Sequence, residues 1–394
     1  MAASESRYRA FLDVRAREGL RRSLLTVAAR DARIIGAEGR CYINFASNDY
    51  LGLRFNQALI TRAVEWAETY GVGSGASRLV TGNLDLFAPI EAKVATLKGK
   101  PASLVMASGF QTNAAVLQAL FDRSVLGAEP LVFADRLNHA SMHFGCQAAG
   151  VRQFRYRHCD ASHLAELLSQ YQGDERARFI LTESVFSMDG DVAPLGDIAR
   201  LAREHGACLV VDDAHATGIL GAAGSGLSGE ADIVIGTFSK ALGGFGGYVA
   251  STETMRDYLL NRCGGVIYST ALPPPVLGAI DSALDLVPGM DAERAYVARL
   301  AERFRAGASA IGLDTSASTT QIVPVVLGSP EAAIAVSERL KRAGLWASAI
   351  RPPTVPIGTA RLRLAFTAAH EEPDIDRLLE ALSAENVRRP ARAV

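Results

Sequence analysis

The chain has 394 residues, 49% of them hydrophobic and 21% charged, and its 41 Lys+Arg nearly balance 42 Asp+Glu for a net charge of -1. That excludes a disordered chain, offers no basic excess for a nucleic-acid binder, and leaves no run near the ~18 apolar residues that span a bilayer. The five cysteines are scattered without a CxxC, so neither a disulfide framework nor a zinc site is indicated; the opening MAASESRYRAFLDVRARE lacks the apolar stretch of a signal peptide, and the expected compartment is the reducing cytoplasm.

In chain order, 5–26 reads as a helix with an Arg-rich face (Arg15, Arg17, Arg21, Arg22), followed by a short β segment ending in CYINFASNDYLGL (41–53). From about 55 to 280, helical stretches such as 85–98, 111–120 and 194–205 alternate with apolar runs: ASLVMA (102–107), LVFAD (131–135), FILTES (179–184), ACLVVDD (207–213), DIVIGTF (232–238) and GGYVA (246–250). Runs of this kind are strands buried on both faces. The alternation predicts an α/β fold with a mostly parallel central sheet and helices on both faces. Beyond Pro273-Pro274-Pro275, helices near 276–286 and 291–310, QIVPVVL (321–327), a helix at 330–343, a strand at 361–366 and a helix at 372–383 predict a smaller α+β domain. The expected domains are 1–48, 49–286 and 287–394, and the tail ENVRRPARAV is expected to fray.

In an open α/β sheet, ligands bind beyond the carboxyl ends of the strands. The polar residues at those ends are Ser108-Gly109-Phe110, His139, Ser187 with Asp189 and Gly190, Asp212 with Asp213 and His215, and Thr237 with Ser239 and Lys240. Of the lysines (Lys93, Lys98, Lys100, Lys240, Lys341), four lie in polar, helix-like surroundings, whereas Lys240 alone follows a buried strand and precedes the turn GGFGG (243–247). A lysine desolvated there serves as a nucleophile or Schiff-base former; the plainer alternative is a surface lysine in a βα loop. Asp212 at a strand end needs a partner, either a protonated heteroaromatic nitrogen or, more plainly, helix N–H groups that it caps. His139 and His215, each alone, read as hydrogen-bonded structural histidines. The turn Ser108-Gly109-Phe110 opens a helix whose first N–H groups suit a phosphate, with Thr237, Ser239 and Ser187 as hydroxyl donors, or it is simple turn chemistry. Together, a Lys, an Asp, a stacking His and a phosphate cup meet the requirements of pyridoxal 5'-phosphate (PLP). A nicotinamide reading fails, because GVGSGAS (71–77) lacks GxGxxG spacing and follows no apolar strand, and no P-loop is present.

The motifs SNDYLGL (47–53), GVGSGASRLVTG (71–82), SGFQTN (108–113), DRLNHAS (135–141), TESVFSMDGDVAPL (182–195), VDDAHATGILG (211–221), GTFSKALGGFGG (236–247) and YSTALPP (268–274) resemble those of the α-oxoamine synthases, PLP-dependent enzymes of fold type I. LDVRAREGLRR (12–22) and AIRPPTVPIGTARLRLAFTAAH (349–370) are similar to the biotin-pathway branch of that family. The resemblance implies that Lys240 carries PLP as a Schiff base, Asp212 pairs with the pyridine nitrogen, His215 bonds the phenolate oxygen and His139 stacks on the ring and contacts substrate. Gly109, Phe110, Ser187 and Thr237 hold the cofactor, mainly its phosphate. Ser269 and Thr270 reach the phosphate of a neighbouring subunit, so the enzyme is expected to be a homodimer. Arg21, Asn48 and Thr354 contact substrate. Arg361 and Arg363 share a strand face; Arg363 is the implied fork for the amino-acid carboxylate, leaving Arg361 a surface or interface salt bridge. No metal is implied.

The implied reaction is decarboxylative condensation of L-alanine with a pimeloyl thioester, giving 8-amino-7-oxononanoate, with the carrier (CoA or acyl carrier protein) left open. The rivals within the family are 2-amino-3-ketobutyrate CoA ligase, serine palmitoyltransferase and 5-aminolevulinate synthase; TFSK (237–240) resembles the palmitoyltransferase motif, but the longer RPPTVPxGTARLRL segment argues against it. A non-catalytic PLP-binding subunit would lack Lys240, and a regulator would need room for a DNA-binding segment. MHFGCQAAG (142–150) and Cys159, where the family commonly has Asn, depart from the pattern and bear on the acyl pocket.

Overall fold

The computed structural model describes residues 2–383, and the tail ENVRRPARAV lies outside the described residues. Two compact units form: one from residues up to 47, 188–190 and 296 onward, the other from 48–187 and 191–295. Strands are numbered along the chain.

In the first unit, the opening helix spans Ala2–Arg17, shorter than the expected 5–26. Gly19 at φ +65° ends it, with the Gly19 and Leu20 N–H groups turned back onto Ala16 and Arg15 carbonyls. Arg21 and Arg22 therefore lie on no helix face. Strands β1 (Ala28–Ala29), β2 (Ile34–Ala37) and β3 (Arg40–Asn44) form an antiparallel meander.

The second unit holds a seven-stranded sheet of β4 (Ala102–Met106), β5 (Leu131–Asp135), β6 (Gln153–Tyr156), β7 (Arg178–Glu183), β8 (Ala207–Asp212), β9 (Ile233–Thr237) and β10 (Gly247–Ser251), in the order β4-β10-β9-β8-β7-β5-β6. Six strands share one direction, and β10 alone runs against them, antiparallel to both β4 and β9. Successive residues feed opposite layers: Val210 packs with Val116, Met142 and Leu259 on one face, Leu209 and Val211 with Leu164 and Ile198 on the other. The six predicted apolar runs each match a strand to within a residue or two. Edge strand β6, half-exposed and polar in composition, carried no such run.

Lys98 does not sit in the polar surroundings expected of it. The helix Phe87–Lys98 carries it into the interior, where its Nζ donates to Asp213 Oδ2 (2.6 Å), Thr217 Oγ1 (2.7 Å) and the Ser225 carbonyl (2.6 Å). Burial alone would lower its pKa, but the Asp213 charge outweighs that and the net shift is upward. Asp213 also accepts from Ser228 Oγ (2.9 Å) and the Leu227 N–H (3.2 Å), so one ion pair closes the loop following β8.

The first unit resumes with β11 (Ile322–Gly328), β12 (Leu345–Trp346), β13 (Ser348–Ile350) and β14 (Ala360–Ala365). Strand β12 extends the β1–β3 sheet in parallel, and β11-β14-β13 form an antiparallel sheet. Helices Pro330–Arg342 and Glu372–Ser383 accompany them; Ser329 caps the former through its hydroxyl. His370 is buried in this unit, its Nδ1 accepting from the Thr367 N–H (3.1 Å) and its Nε2 bonded to the Asn44 carbonyl (3.0 Å). Among the described residues no helix is long and apolar enough to cross a membrane.

Candidate functional site

The strand ends of the second unit surround a cavity of about 210 Å³. Gly109, Phe110, His139, Asp212, His215, Thr237 and Lys240 all line it. So do Asn113, Ser141 and Glu183, which the sequence reading left unassigned.

Asp212 ends β8 with a buried carboxylate held on both oxygens: Asn113 Nδ2 donates to Oδ2 (2.6 Å) and the Ala214 N–H to Oδ1 (3.0 Å). The same Nδ2 lies 3.0 Å from Ser141 Oγ, which sits 2.7 Å from His139 Nδ1. Asn113 thus ties the acid to the histidine. Its position four residues after Gly109, one turn into the helix Gly109–Leu120, was the signal available in the sequence. That helix can press on Ala140–Ala148 because of Gly145, where a Cβ would lie 2.9 Å from Leu117 Cβ.

His139 caps Ala140–Ala148, its Nδ1 accepting the Ser141 N–H (3.3 Å). Burial lowers its pKa, so the ring is neutral near pH 7. Glu183 pairs in register with Asp212 across β7 and β8. Its burial, then the Asp212 charge, push its carboxyl well above the ordinary range, and the backbone N–H of His139 bonds to it. Burial and the neighbouring charge both disfavour ionisation of Glu183. Opposite, His215 Nδ1 lies 2.7 Å from the hydroxyl of Tyr50, itself 3.2 Å from Asn48 Oδ1.

Lys240 is half-buried on the cavity wall, three residues past β9. Thr237 Oγ1 donates to the Gly246 carbonyl (2.6 Å) and lies 2.8 Å from Ser239 Oγ, bracing the Gly-rich turn. At Gly247 a Cβ would lie 2.4 Å from Thr112 Oγ1 and 2.9 Å from the Gly109 nitrogen, so glycine lets β10 approach the start of the helix. The first-turn N–H groups of that helix, at Gly109 and Phe110, lack a carbonyl one turn earlier and form an anion cup. The donor set fits PLP: an N–H cup for a phosphate, a fixed carboxylate for a pyridinium nitrogen and a lysine for an aldehyde. Asn113 Oδ1, buried without a hydrogen-bond partner, is a further acceptor at the wall.

Other predicted residues lie off this wall. Ser187 follows β7, and Ser269 and Thr270 border a separate small cleft with Arg78 and Phe87. Thr270 bridges to Ser77 in the 71–82 segment. In the first unit, Thr354 is bonded by Arg22 (3.0 Å), while Arg21 is exposed. Arg22, Arg351 and Thr354 line a cavity of about 220 Å³. Arg363 and Arg361 are both buried on β14. The salt bridge expected for Arg361, at the surface or an interface, forms with Asp189 and is buried within this unit, reinforced by the Met188 carbonyl (3.3 Å).

Cys159, singled out by its departure from Asn, sits at φ +53°, in the left-handed region that Asn tolerates better. Its neighbour His158 bridges Asp135 (3.0 Å) and Asp191 (2.8 Å). Against the lowering effect of burial, those two carboxylates raise His158 to about 12. Both imidazole nitrogens are spent on carboxylates, so this cluster is an ion-paired clasp.

A family model described as aminotransferase class I and II matches residues 40–382. The 8-amino-7-oxononanoate synthase of Gluconacetobacter diazotrophicus is 54% identical over 376 residues, covering 94% of each chain. Among solved structures, a serine palmitoyltransferase variant from S. paucimobilis with bound PLP-myriocin aldimine aligns with a TM-score of 0.89 at 26% identity over 98% of each chain. The 8-amino-7-oxononanoate synthase of Francisella tularensis aligns with a TM-score of 0.74 at 28% identity, over 87% of this chain and 97% of that one. The chain belongs to the PLP-dependent 8-amino-7-oxononanoate synthases, within the class I and II aminotransferase family.

Proposed function

We propose that the chain condenses L-alanine with a pimeloyl thioester to give 8-amino-7-oxononanoate, CO2 and the free thiol carrier, the acyl-transfer step of biotin biosynthesis. The observation that carries this reading is the meeting of Lys240, Asp212, His139 and His215 around one cavity with a helix N-terminus at its edge. The chemistry PLP supplies when bound is an electron sink for the charge left at the alanine Cα. Lys240 would hold the cofactor through its amine and, once free of it, would serve as the base for the alanine Cα proton. Asp212, anchored by Asn113 and Ala214, keeps the pyridine nitrogen protonated. A neutral Glu183 adds no second negative charge beside Asp212. His139 covers the ring and contacts substrate. Gly109, Phe110, Thr237 and Ser187 serve the cofactor, mainly its phosphate. Arg363 takes the alanine carboxylate through its bidentate fork, and Arg21, Asn48 and Thr354 contact substrate.

The active unit is a homodimer in which Ser269 and Thr270 serve the neighbour's phosphate. Supporting this, Val72, Val80 and Tyr268 are 82%, 73% and 86% exposed on the segments joined by the Ser77–Thr270 bridge, an apolar surface suited to a partner. The compartment proposed is the reducing cytoplasm. The test is to incubate the PLP-loaded enzyme with pimeloyl-CoA and alanine, glycine or serine, and to measure the amino-ketone product by mass and CO2 release. Alanine is expected to give 8-amino-7-oxononanoate with stoichiometric CO2. Turnover with glycine or serine in preference to alanine would overturn the assignment.

A further inference from the structure

We infer that Asn113 and Ser141 are positioning residues that form a relay: through them the Asp212 carboxylate fixes the ring proton of His139 on Nε2, so His139 meets a bound ligand as a hydrogen-bond donor and not as a base. The use of that donor rests on the PLP reading above.

Two groups in the chain of contacts have roles that cannot change. A backbone N–H only donates, and that of Ser141 is directed at His139 Nδ1 (3.3 Å). Nδ1 therefore carries a lone pair, which neither the imidazolium nor the Nδ1–H tautomer offers. At the other end a carboxylate only accepts, and Asp212 Oδ2 lies 2.6 Å from Asn113 Nδ2, so the amide is held with its nitrogen toward the acid. The second hydrogen of that nitrogen goes to Ser141 Oγ (3.0 Å). Ser141 is fully buried. With Oγ accepting from Asn113, its one hydrogen is left for His139 Nδ1 at 2.7 Å, the best length of a hydroxyl bond. The buried, unpartnered Asn113 Oδ1 is the mark of this orientation. Turning the amide over would give Oδ1 the Ser141 hydrogen. It would also set an oxygen against the Asp212 carboxylate, and His139 Nδ1–H, donating to Oγ in its turn, against the Ser141 N–H. Burial, with Lys240 and against Asp212, lowers the pKa of His139 and agrees with a neutral ring.

The ring proton of His139 thus sits on Nε2. Among the described residues that nitrogen meets no hydrogen-bond partner, and His139 lines the cavity together with Asn113, Ser141 and Asp212. An Nε2–H has no lone pair with which to take a proton, so proton removal falls to Lys240. The ligand group matched to His139 is an oxygen acceptor. One carboxylate serves two ends of the site: it faces the cofactor's ring nitrogen and, through two neutral side chains, sets the polarity of the histidine.

The test is 15N NMR of the histidine-labelled, cofactor-free full chain near neutral pH, with the His139 signals identified by their loss in His139→Gln. The wild type is expected to show a protonated Nε2 and an unprotonated, hydrogen-bonded Nδ1. Ser141→Ala is expected to move the Nδ1 signal downfield, as a lone pair released from a hydroxyl does. Asp212→Asn is expected to move it the same way although Asp212 makes no hydrogen bond to His139, because the Asn113 amide is then free to turn over and take the Ser141 hydrogen. In a Ser141→Ala background, Asp212→Asn is expected to add nothing. A merely structural Ser141 would not carry an effect from Asp212 to this nitrogen. In the PLP-loaded enzyme, Ser141→Ala is expected to weaken alanine binding, read from the visible band, about twofold to tenfold, the size of one hydrogen bond. A protonated Nδ1 in the wild type, an Nδ1 signal that Asp212→Asn leaves in place, a further shift in the double variant, or an unchanged alanine affinity would each overturn the inference while leaving the PLP reading intact. A wild-type chain with no visible band after PLP is added would overturn that reading and the use assigned to the donor with it.

Discussion

Lys98→Met tests whether one buried ion pair holds the loop that carries His215. The methionine fills similar volume but removes the charge that faces Asp213, with both side chains at 0% exposure. The Asp213 carboxylate keeps Ser228 Oγ and the Leu227 N–H and loses its only cationic partner among the described residues. Removing one member of a buried pair costs about 3–5 kcal/mol. The cost has a ceiling, because a stranded carboxylate can take up a proton instead. For an acid with an ordinary value near 3.9 that uptake costs about 1.4 kcal/mol per pH unit, so the ceiling is about 4 kcal/mol at pH 7 and about 1.5 kcal/mol at pH 5. The sign follows. In the variant the folded-state acid is raised above its unfolded value, so the penalty is full at neutral pH and shrinks as pH falls. Urea unfolding of wild type and Lys98→Met at both pH values should show a deficit of about 3–4 kcal/mol narrowing by more than half. Asp213→Asn added to Lys98→Met should recover much of the pH 7 loss. A deficit under about 1 kcal/mol, or one that does not change between pH 7 and pH 5, would refute the reasoning.

Burial pushes His370 down to about 4 from an ordinary 6.5. The stability it contributes is full above pH 6.5 and lost as pH falls through that window to 4, by about 3 kcal/mol in total; acid unfolding of His370→Gln, with that limb flattened, checks this. Asn113→Ala removes the donor shared by Asp212 and Ser141 and should weaken PLP binding tenfold to a hundredfold, read by equilibrium dialysis. Arg363→Lys loses the fork and should raise the KM for alanine at least tenfold with kcat less affected, in steady-state assays. Cys159→Asn relieves the left-handed backbone position and should raise the unfolding free energy by about 0.5–1 kcal/mol, measured by urea melts.

The parts of this fold legible in the sequence are those where burial writes itself into composition. LVFAD, ACLVVD and IVIGT are apolar on both faces because helices cover both faces, and their polar termini mark the cavity edge. Direction is not written there: GYVAS reads like its parallel neighbours, yet β10 runs against them. Gln153–Tyr156 escaped notice because an edge strand half in solvent has no need of an apolar run. Charge misled where it was paired. Lys98 ends a helix in a polar-looking LKGK, and only the fold brings Asp213, more than a hundred residues away, to meet it. For Arg361 a salt bridge is legible but its partner is not, because Asp189 is distant in sequence. Within the site, the chemical groups at strand ends could be listed from sequence, but not the residues that aim them. Asn113, Ser141 and Tyr50 act through hydrogen bonds across elements, and no periodicity encodes those.

The central claim is that Lys240 holds PLP in the cavity beside Asp212 and yields it to alanine. Borohydride reduction of the PLP-loaded enzyme, followed by peptide mass mapping, tests it most directly, with and without saturating alanine before the reductant. The pyridoxyl mass is expected on the peptide containing Lys240 alone, with a large loss of that label when alanine is added first. Label on Lys98, Lys100 or another lysine, or Lys240 labelling that alanine leaves unchanged, would contradict it.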